Sequence, residues 1–324
     1  MRLTLEFLRD DFIMNKEKDV HILVLNYNGR KIIEECMPSI VRATKKSRFS
    51  VNISVIDNVS TDDSVEYLKR EFPDVNLFIM EENKFLLSYN DVLKKINEEI
   101  VILLNNDISV DEGFIDQLVE PFLYEETLFF TAPRTLKQDG TGYEGNLTRI
   151  EFKYGFFRPD SYFDGYLEAT KNNGPTIMTG FGAFRRKWFL ALGGYDSLYL
   201  PGRWEDLDIC YRGWKHGWRG IYVANSIVYH KGAYSFNNRF GEYRTLVIAQ
   251  RNHYLFIWKN LTDPALILNH ILFLVPRLCF AFVRGNKSFV LGFIKSIPYL
   301  LRSLSRRYEM PAYQKKDRDI LGLF

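Results

Sequence analysis

Apolar residues between positions 20 and 107 fall into short runs separated by segments with helical spacing. The runs HILVLN, VNISVID, NLFIM and EIVILLN are typical of strands. The segments between them, KIIEECMPSIVRATKK, STDDSVEYLKREF and NDVLKKINEE, are typical of amphipathic helices. Strands and helices that alternate at this interval indicate a parallel sheet covered by helices on both faces. The expected fold class is therefore α/β.

The pattern becomes less regular after this first part. Residues 112–178 are rich in Tyr, Phe and Gly, which predicts loops and short strands around a substrate pocket. The pattern of residues 180–230 then predicts a Gly-rich turn, a helix and a loop. An acidic helix start at 204–208 and a strand that ends at His230 are predicted after them.

The two ends of the chain differ from this central part. Residues 1–18 are predicted to form a short amphipathic helix. Residues 264–324 are apolar and carry ten Lys and Arg against three acids, a net charge of +7, whereas the rest of the chain carries −4. Residues 265–283 approach the length of a spanning helix, but polar residues and a proline interrupt them. We expect two amphipathic helices that lie on an anionic membrane surface. A helical hairpin packed on the body and a spanning helix are the alternatives.

Three of the predicted strands end in small polar residues. These endings are Asn26-Tyr27-Asn28, Asp57-Asn58 and Asn105-Asn106-Asp107. Asn and Asp suit turns, and for any one strand this explains them. Ligands of open α/β sheets bind at the carboxyl ends of the strands, so three such endings favour a ligand site.

Four motifs, taken in order, resemble those of family 2 glycosyltransferases, an inverting group with the GT-A fold. They are VLNYNG at 24–29, VIDNVSTDDSV at 55–65, ILLNND at 102–107 and the series GGYD, EDLD and VYH between 193 and 230. The resemblance implies a Rossmann-like, mixed and mainly parallel sheet flanked by helices. It divides the chain into an N-terminal helix (1–18), a catalytic domain (19–260) and a basic, apolar helical region (261–324).

The resemblance also implies where the nucleotide sugar binds. Tyr27 offers a flat face to a base, and Asp57 can accept a hydrogen bond from a base N–H. Packing of Tyr27 on a helix and capping by Asp57 remain open as alternatives. The expected donor-binding residues are Asn26, Tyr27, Asp57, Asn58, Asn83, Asn105, Asn106 and Asp107.

A divalent cation, Mn or Mg, is the expected cofactor. Asp107 matches the last acid of the family's Asp-x-Asp signature, and a carboxylate-held cation stabilises the charge of a departing diphosphate. Asn105 replaces the first acid, so direct metal binding is expected to be weaker. His230 matches a further metal contact in some relatives, although a lone His after a strand is often structural.

Inverting transfer needs a base that accepts the proton of the attacking hydroxyl. Asp206 matches the family's base, with Glu205 and Asp208 beside it; all three acids could instead stabilise a helix start. The expected sugar and acceptor pocket comprises Gly180, Gly182, Trp204 and Glu205.

One motif departs from the family pattern. The family has an Asn-x-Gly-Phe turn where this chain has Asn83-Lys84-Phe85 without the Gly. A different shape of the donor-facing loop is therefore expected, and the donor sugar stays open.

The hypothesis is transfer of a sugar from a nucleotide-sugar donor to a hydroxyl of a glycan acceptor, itself lipid-linked, in cell-surface polysaccharide synthesis. A sugar-phosphate nucleotidyltransferase would need a Gly-rich loop after the first strand, where only Gly29 is present. Asn105 and the altered loop leave a noncatalytic scaffold as a further alternative. Three widely spaced cysteines and no signal-peptide pattern favour the cytoplasmic face of the membrane, and no nucleic-acid partner is expected.

Overall fold

The apolar runs of the sequence form the centre of a ten-stranded sheet in the computed structural model, which describes residues 19–231, 239–309 and 313–324. The helix predicted at residues 1–18 lies outside these ranges. The strands are β1 (Val20–Asn26), β2 (Val51–Asp57), β3 (Asn76–Ile79), β4 (Ile100–Asn105), β5 (Ile108–Val110), β6 (Leu128–Lys137), β7 (Tyr143–Gly145), β8 (Arg149–Lys153), β9 (Phe156–Asp160), β10 (Gly174–Pro175), β11 (Gly182–Arg185) and β12 (Arg219–His230).

Helices connect these strands and form the C-terminal part of the protein. They are α1 (Arg30–Lys46), α2 (Ser64–Glu71), α3 (Ser88–Leu93), α4 (Phe114–Val119), α5 (Tyr166–Ala169), α6 (Arg186–Ala191), α7 (Glu205–Lys215), α8 (Glu242–Asn260), α9 (Pro264–Val283), α10 (Lys287–Ser296), α11 (Leu300–Ser305) and α12 (Asp317–Leu321). Short 3-10 turns cover Phe85–Leu87, Glu120–Leu123, Ser197–Tyr199 and Ile297–Tyr299.

The helix predicted at residues 90–99 starts earlier and is shorter than its sequence pattern indicates. It begins at Ser88 because Ser88 and Tyr89, which precede the predicted start, are buried in the core. The Ser88 hydroxyl donates to the Asn58 side chain, and the Tyr89 hydroxyl donates to the Leu104 carbonyl oxygen at 2.7 Å. Tertiary contacts therefore fix this helix, not its local periodicity alone.

The sheet is mixed and mainly parallel. Its main strands run in the order β10-β12-β6-β11-β4-β1-β2-β3. Strands β4, β1, β2 and β3 are parallel to one another, whereas β11 is antiparallel to both β4 and β6. Buried clusters lie on both faces of the sheet, beneath α1 and α4 on one side and α3, α6, α7 and α8 on the other. The predicted α/β fold class, a mixed and mainly parallel sheet flanked by helices, is confirmed.

Strand register brings the polar endings together. Asn26 pairs with Asp57 across β1 and β2, and Leu25 pairs with Asn105 across β1 and β4. The three strands therefore end at one edge of the sheet. His230 joins this edge because it pairs with Ile108, the residue after Asp107.

The C-terminal segment is held to the body by a buried ion pair. Lys215 Nζ of α7 lies 2.8 Å from Asp317 Oδ1 of α12, and both side chains are fully buried. The same carboxylate accepts hydrogen bonds from the Tyr211 hydroxyl at 2.7 Å and from the backbone amides of Thr262 and Asp263, each at 2.7 Å.

Helix α9 docks on the body along one side only. His270 Nδ1 lies 2.7 Å from the Gly155 carbonyl oxygen, and the Arg277 guanidinium lies 4.5 Å from the centre of the Phe156 ring. Among the described residues, α9 is the helix that is long and apolar enough to cross a membrane, and 11% of its most apolar window is buried.

We expect Asp317→Asn to lower the free energy of unfolding by about 3–5 kcal/mol, because Lys215 would keep a buried charge without its partner. Urea unfolding measures this loss. The matched control is Asp319→Asn, an exposed acid of the same helix, for which we expect less than about 1 kcal/mol. Equal losses of unfolding free energy in the two variants would contradict the role of Asp317 in holding the C-terminal segment to the body.

Candidate active site

Asn26 is fully buried and holds the sheet edge together. Its Nδ2 donates to Asp57 Oδ1 at 2.9 Å and to the Ser60 hydroxyl at 3.2 Å, and its Oδ1 accepts from Asn106 Nδ2 at 2.8 Å. A Cβ at Gly29 would lie 2.1 Å from Asn106 Nδ2, so only Gly fits beside this network. Asn26 and Asn106 thus lock the ends of β1 and β4 to each other.

Asp57 is also buried, and its carboxylate accepts several hydrogen bonds. Its oxygens accept from the Ser60 backbone amide at 2.8 Å, from the Ser60 hydroxyl at 2.6 Å and from Asn26 Nδ2 of β1. A carboxylate has about four acceptor positions, so at most about one is left for a ligand.

The loop without the expected Gly contains a backbone conformation that usually requires one. Phe85 has φ +54°, in the left-handed region. Asn58 Nδ2 donates to the Phe85 carbonyl oxygen at 3.1 Å, and Asn83 Oδ1 accepts from the Phe85 amide at 3.0 Å. The side chains of Asn58 and Asn83 therefore hold the turn in place of a Gly.

The ring of Tyr27 is half exposed at this edge. The Arg239 guanidinium lies 5.0 Å from the Tyr27 ring centre and 4.7 Å from that of Phe85. An arginine after β12 thus faces the position predicted for a nucleobase, and sequence patterns gave no sign of it.

Asp107 and His230 contact each other. His230 Nε2 lies 3.4 Å from Asp107 Oδ2, and His230 Nδ1 lies 3.3 Å from Glu144 Oε2. Burial by itself lowers the pKa of His230, but the two carboxylates outweigh it and raise the pKa above the ordinary value. Glu144, on β7, was missed from the sequence because no motif surrounds it.

Asn146, two residues after Glu144, contacts the backbone of Gly180. Its side-chain oxygen accepts from the Gly180 amide at 3.3 Å, and its Nδ2 donates to the Thr135 hydroxyl at 2.9 Å. A Cβ at Gly180 would lie 3.8 Å from Asp206 Oδ2, so Gly180 borders the Asp206 carboxylate. Gly182 instead packs against the Thr131 carbonyl oxygen, which a Cβ would approach to 2.2 Å.

The three acids at the start of α7 have different surroundings. Asp208 is fully buried and accepts from Tyr199, Arg212, Lys259 and Asn260, each at 2.8 Å. Burial by itself would raise its pKa, but Arg212 and Lys259 hold the pKa of Asp208 down, at about 2. Asp208 is therefore a permanently charged structural group.

Glu205 and Asp206 have the opposite electrostatics. Burial raises the pKa of Glu205 to about 7. Burial, followed by the nearby Glu205 carboxyl, raises the pKa of Asp206 well above its usual range. Both groups therefore hold protons more tightly than ordinary carboxyls, and the pKa of Glu205 lies in the range in which a general base operates near neutral pH.

The turn before α7 has an unusual backbone. Arg203 and Trp204 have φ +78° and +76°. Asn252 Nδ2 of α8 lies 2.7–2.8 Å from the carbonyl oxygens of Tyr199, Gly202 and Arg203, which holds this turn. Strain of this kind is concentrated at functional sites.

One face of the Trp204 indole is already occupied. The His253 ring stacks on it with 4.2 Å between centres and 14° between planes. Sugar stacking by Trp204, expected from the sequence, would have to use the rest of its surface.

Three buried carboxylate oxygens have neither a hydrogen-bond partner nor an ion-pair partner in the part of the chain that the structure describes. They belong to Asp107, Glu205 and Asp206. Tyr89 lies within the electrostatic reach of both Asp107 and Asp206, since each raises its pKa after the larger effect of burial. Orphaned buried acceptors call for a partner, and these three belong to the predicted site.

The donor set around Asp107 fits a cation that is completed by its ligand. Asp107 supplies an orphaned oxygen and His230 a nitrogen. No group of three or more His, Cys, Asp or Glu that could hold a metal occurs among the described residues. A hard divalent cation prefers about six ligands, so phosphate and water oxygens would supply the others.

The family model for glycosyl transferase family 2 matches residues 21–193, more than half of the chain and most of the sheet edge described above. The chain belongs to glycosyl transferase family 2. A relative from Mycobacterium tuberculosis, in two strains, is 24% identical over 238 residues, covering 66% of this chain and 76% of the relative; it is named N-acetylglucosaminyl-diphospho-decaprenol L-rhamnosyltransferase.

Solved structures show the same fold as this family 2 glycosyltransferase. A mannosyltransferase from Pyrobaculum calidifontis in complex with GDP-Man and Mn2+ has a TM-score of 0.53 at 13% identity, over 94% of both chains. GalNAc-T7 with UDP, GalNAc and Mn2+ has a TM-score of 0.53 at 18% identity, over 65% of this chain and 43% of that one. This glycosyltransferase thus spans less than half of GalNAc-T7.

The raised pKa of Glu205 makes its contribution to stability depend on pH. The folded state keeps the proton up to about pH 7, whereas the unfolded chain loses it near 4.5, so stability falls as pH rises through this window. Glu205→Gln removes that loss. Relative to the parent protein, we expect the variant to gain about 2 kcal/mol more at about pH 8.5 than at about pH 5.5 in urea unfolding.

The control for this measurement is Glu126→Gln, the same change at an exposed position. Its effect on unfolding should be the same at both pH values. A gain for Glu205→Gln that is also equal at both would contradict the raised pKa.

Proposed function

We propose that this glycosyltransferase transfers a hexose or deoxyhexose, with inversion, from a nucleotide sugar to a hydroxyl of a lipid-linked glycan in cell-surface polysaccharide synthesis. The observation that carries this proposal is the set of three orphaned carboxylate oxygens. The Asp107 oxygen lies beside His230, where a cation and diphosphate would bind, and the other two lie at the start of α7, where an acceptor hydroxyl would bind.

The relatives support the choice of donor and acceptor. The Mycobacterium tuberculosis relative is named for rhamnosyl transfer to a diphospho-decaprenol-linked sugar. Two proteins of the same fold were solved with a sugar nucleotide or with a nucleotide and a sugar, and both with Mn2+. A nucleotide-sugar donor, a divalent cation and a polyprenyl-linked acceptor are therefore the partners we propose here.

In the proposed site, Asp107 and His230 hold the cation, which when bound would neutralise the diphosphate of the donor. Glu144 orients His230 through Nδ1 and leaves Nε2 directed toward Asp107. Asn105 lies beside them at the end of β4, where it can donate to ribose or phosphate oxygens.

Asp206 is the proposed base. Its carboxylate accepts the proton of the acceptor hydroxyl while the hydroxyl oxygen bonds to the anomeric carbon and the bond from that carbon to the diphosphate oxygen breaks. Because burial raises its pKa, the Asp206 carboxylate accepts a proton more readily than an ordinary Asp carboxylate. Glu205 shapes the acceptor pocket with Gly180 and Trp204, and Gly182 supports it through the backbone.

The nucleoside is proposed to lie over the edge formed by the ends of β1 and β2. Tyr27 contacts the base, and Asp57 offers its remaining acceptor position to it. Asn26, Asn58, Asn83 and Asn106 act by positioning, since their side chains hold the surrounding loops.

We further propose that residues 19–260 carry catalysis and that residues 261–324 attach the enzyme to the cytoplasmic face of the membrane. Helix α9 docks on the β8–β9 hairpin and exposes Leu268, Leu272 and Val275 on another side. A helix with one docked side and one exposed apolar side suits attachment in the membrane plane better than spanning.

The test of this function uses the full chain in lipid nanodiscs with a polyprenyl-diphosphate-linked N-acetylglucosamine acceptor. Nucleotide sugars are offered one at a time with Mn or Mg, and mass spectrometry and NMR identify the product and its anomeric configuration. One donor should give an inverted product only when the cation is present. Donor binding without any product would favour a noncatalytic role, and a retained configuration would exclude Asp206 as the base proposed here.

For Asp206→Asn we expect kcat to fall about 10²–10⁴-fold, because the amide cannot accept the hydroxyl proton. Calorimetry should show donor affinity within about twofold of the parent, since Asp206 is not among the donor-binding groups. Full activity in this variant would show that another group is the base.

For Glu144→Gln we expect cation-dependent donor binding to weaken by about 10–100-fold, because His230 would lose its orienting carboxylate. Isothermal titration calorimetry with and without Mn measures this. The matched control is Glu151→Gln, the same change at an exposed residue of the neighbouring strand β8, which should leave binding unchanged. Unchanged binding in both variants would place the cation away from His230.

A further inference from the structure

An apolar cavity of about 320 Å³ lies among the C-terminal helices, and none of the residues that line it is acidic. Its walls come from α8, α9, α10, α11 and the turn between the last two. The residues that line it include Ile257, Trp258, His270, Ile271, Ile297 and Arg307.

The polar groups in the wall already have partners. His270 Nδ1 contacts the Gly155 carbonyl oxygen at 2.7 Å, and its Nε2 lies 3.3 Å from Trp258 Nε1. Arg307 Nε donates to the Trp258 carbonyl oxygen. Because the remaining wall is aliphatic and aromatic, an occupant would meet hydrocarbon, and water would find few hydrogen bonds there.

The mouth of the cavity opens on the exposed apolar side of α9. Ile271 and Ile297 line it and are 60% and 50% exposed. Exposed Leu268, Leu272 and Leu301 extend this surface. Exposed basic residues lie on the same helices and the loop between them: Arg284, Lys287, Lys295 and Arg302.

This combination suits a lipid with an anionic head. The apolar surface around the mouth can contact a bilayer, and the basic side chains of the same helices complement lipid phosphate. The volume is roughly twice that of an apolar cavity known to take one benzene molecule, which corresponds to about ten to twelve carbons of a chain.

The cavity is also near the proposed acceptor site. Ile257 follows His253 by one turn of α8, a rise of about 6 Å along the helix. His253 stacks on Trp204, the residue before Glu205. The inner wall of the cavity is therefore one helical turn from the residue that stacks on Trp204 before the start of α7.

We propose that this cavity binds the first isoprene units of the polyprenyl chain that carries the acceptor. The inference rests on the proposed function, because it takes the acceptor to be lipid-linked. It adds a binding site for the lipid itself, built by residues outside the catalytic centre.

The probe for the test is farnesyl phosphate, with inorganic phosphate as the head-group control, measured by native mass spectrometry of the full chain. Ile271→Trp places a large ring at the mouth and should weaken farnesyl phosphate binding by about tenfold or more. Leu272→Trp is the matched control, because Leu272 is similarly exposed on the same helix and does not line the cavity. Equal affinity in the two variants would overturn the proposal.

Two further arms decide the class of lipid and guard against misfolding. Lysophosphatidic acid supplies a straight acyl chain, and binding as tight as that of farnesyl phosphate would overturn the assignment to the acceptor lipid. Should Ile271→Trp melt well below the parent, Ile297→Trp at the opposite side of the mouth repeats the test, with the same loss expected.

The inference and the proposed function can fail separately. Farnesyl phosphate binding that is lost only in the mouth variants supports the cavity even if no nucleotide sugar gives a product. Transfer that proceeds equally well with short-chain and long-chain acceptors, and equally in Ile271→Trp, overturns the cavity and leaves the glycosyltransferase activity in place.

Discussion

The buried carboxylate of Asp208 is the interaction on which the arrangement of the site depends. It accepts hydrogen bonds from Arg212 on its own helix, from Lys259 and Asn260 on α8, and from Tyr199 in the preceding turn. A buried charge is tolerated only when it is fully paired, so these contacts define how α7 and α8 must pack. The first turn of α7, with Glu205 and Asp206, is fixed by this packing.

The acids in the first turn of α7 therefore have pKa values shifted in opposite directions. Asp208 faces cations and stays charged, whereas Glu205 and Asp206 lie in surroundings that favour their protonated forms. Such divergence between adjacent carboxyls commonly separates structural from catalytic roles. On the other side of the site, the end of β4 brings Asp107 to His230 through the pairing of β5 with β12. The sheet edge and the start of α7 thus contribute complementary halves of the site.

The basic C-terminal region is part of the same packing. Asp317 pairs with Lys215 at the end of α7, so the last helix of the chain supports the helix that begins with Glu205. Helix α9 leaves one side exposed, and the cavity beneath it reaches α8 one turn from His253. The proposed attachment to a membrane and the proposed acceptor site would consequently be linked through α8.

The sequence by itself determined the strands, their common polar edge and the acidic helix start, because apolar runs and turn residues act locally. It also led to Asp107, Asp206 and His230 as candidates, whose roles stay predictions. Only the tertiary structure decided which acid of α7 is structural, that Asn26 and Asn58 hold loops, and that Glu144 and Asn252 belong to the site. These depend on burial and on partners distant in the chain, and no local pattern of residues encodes either.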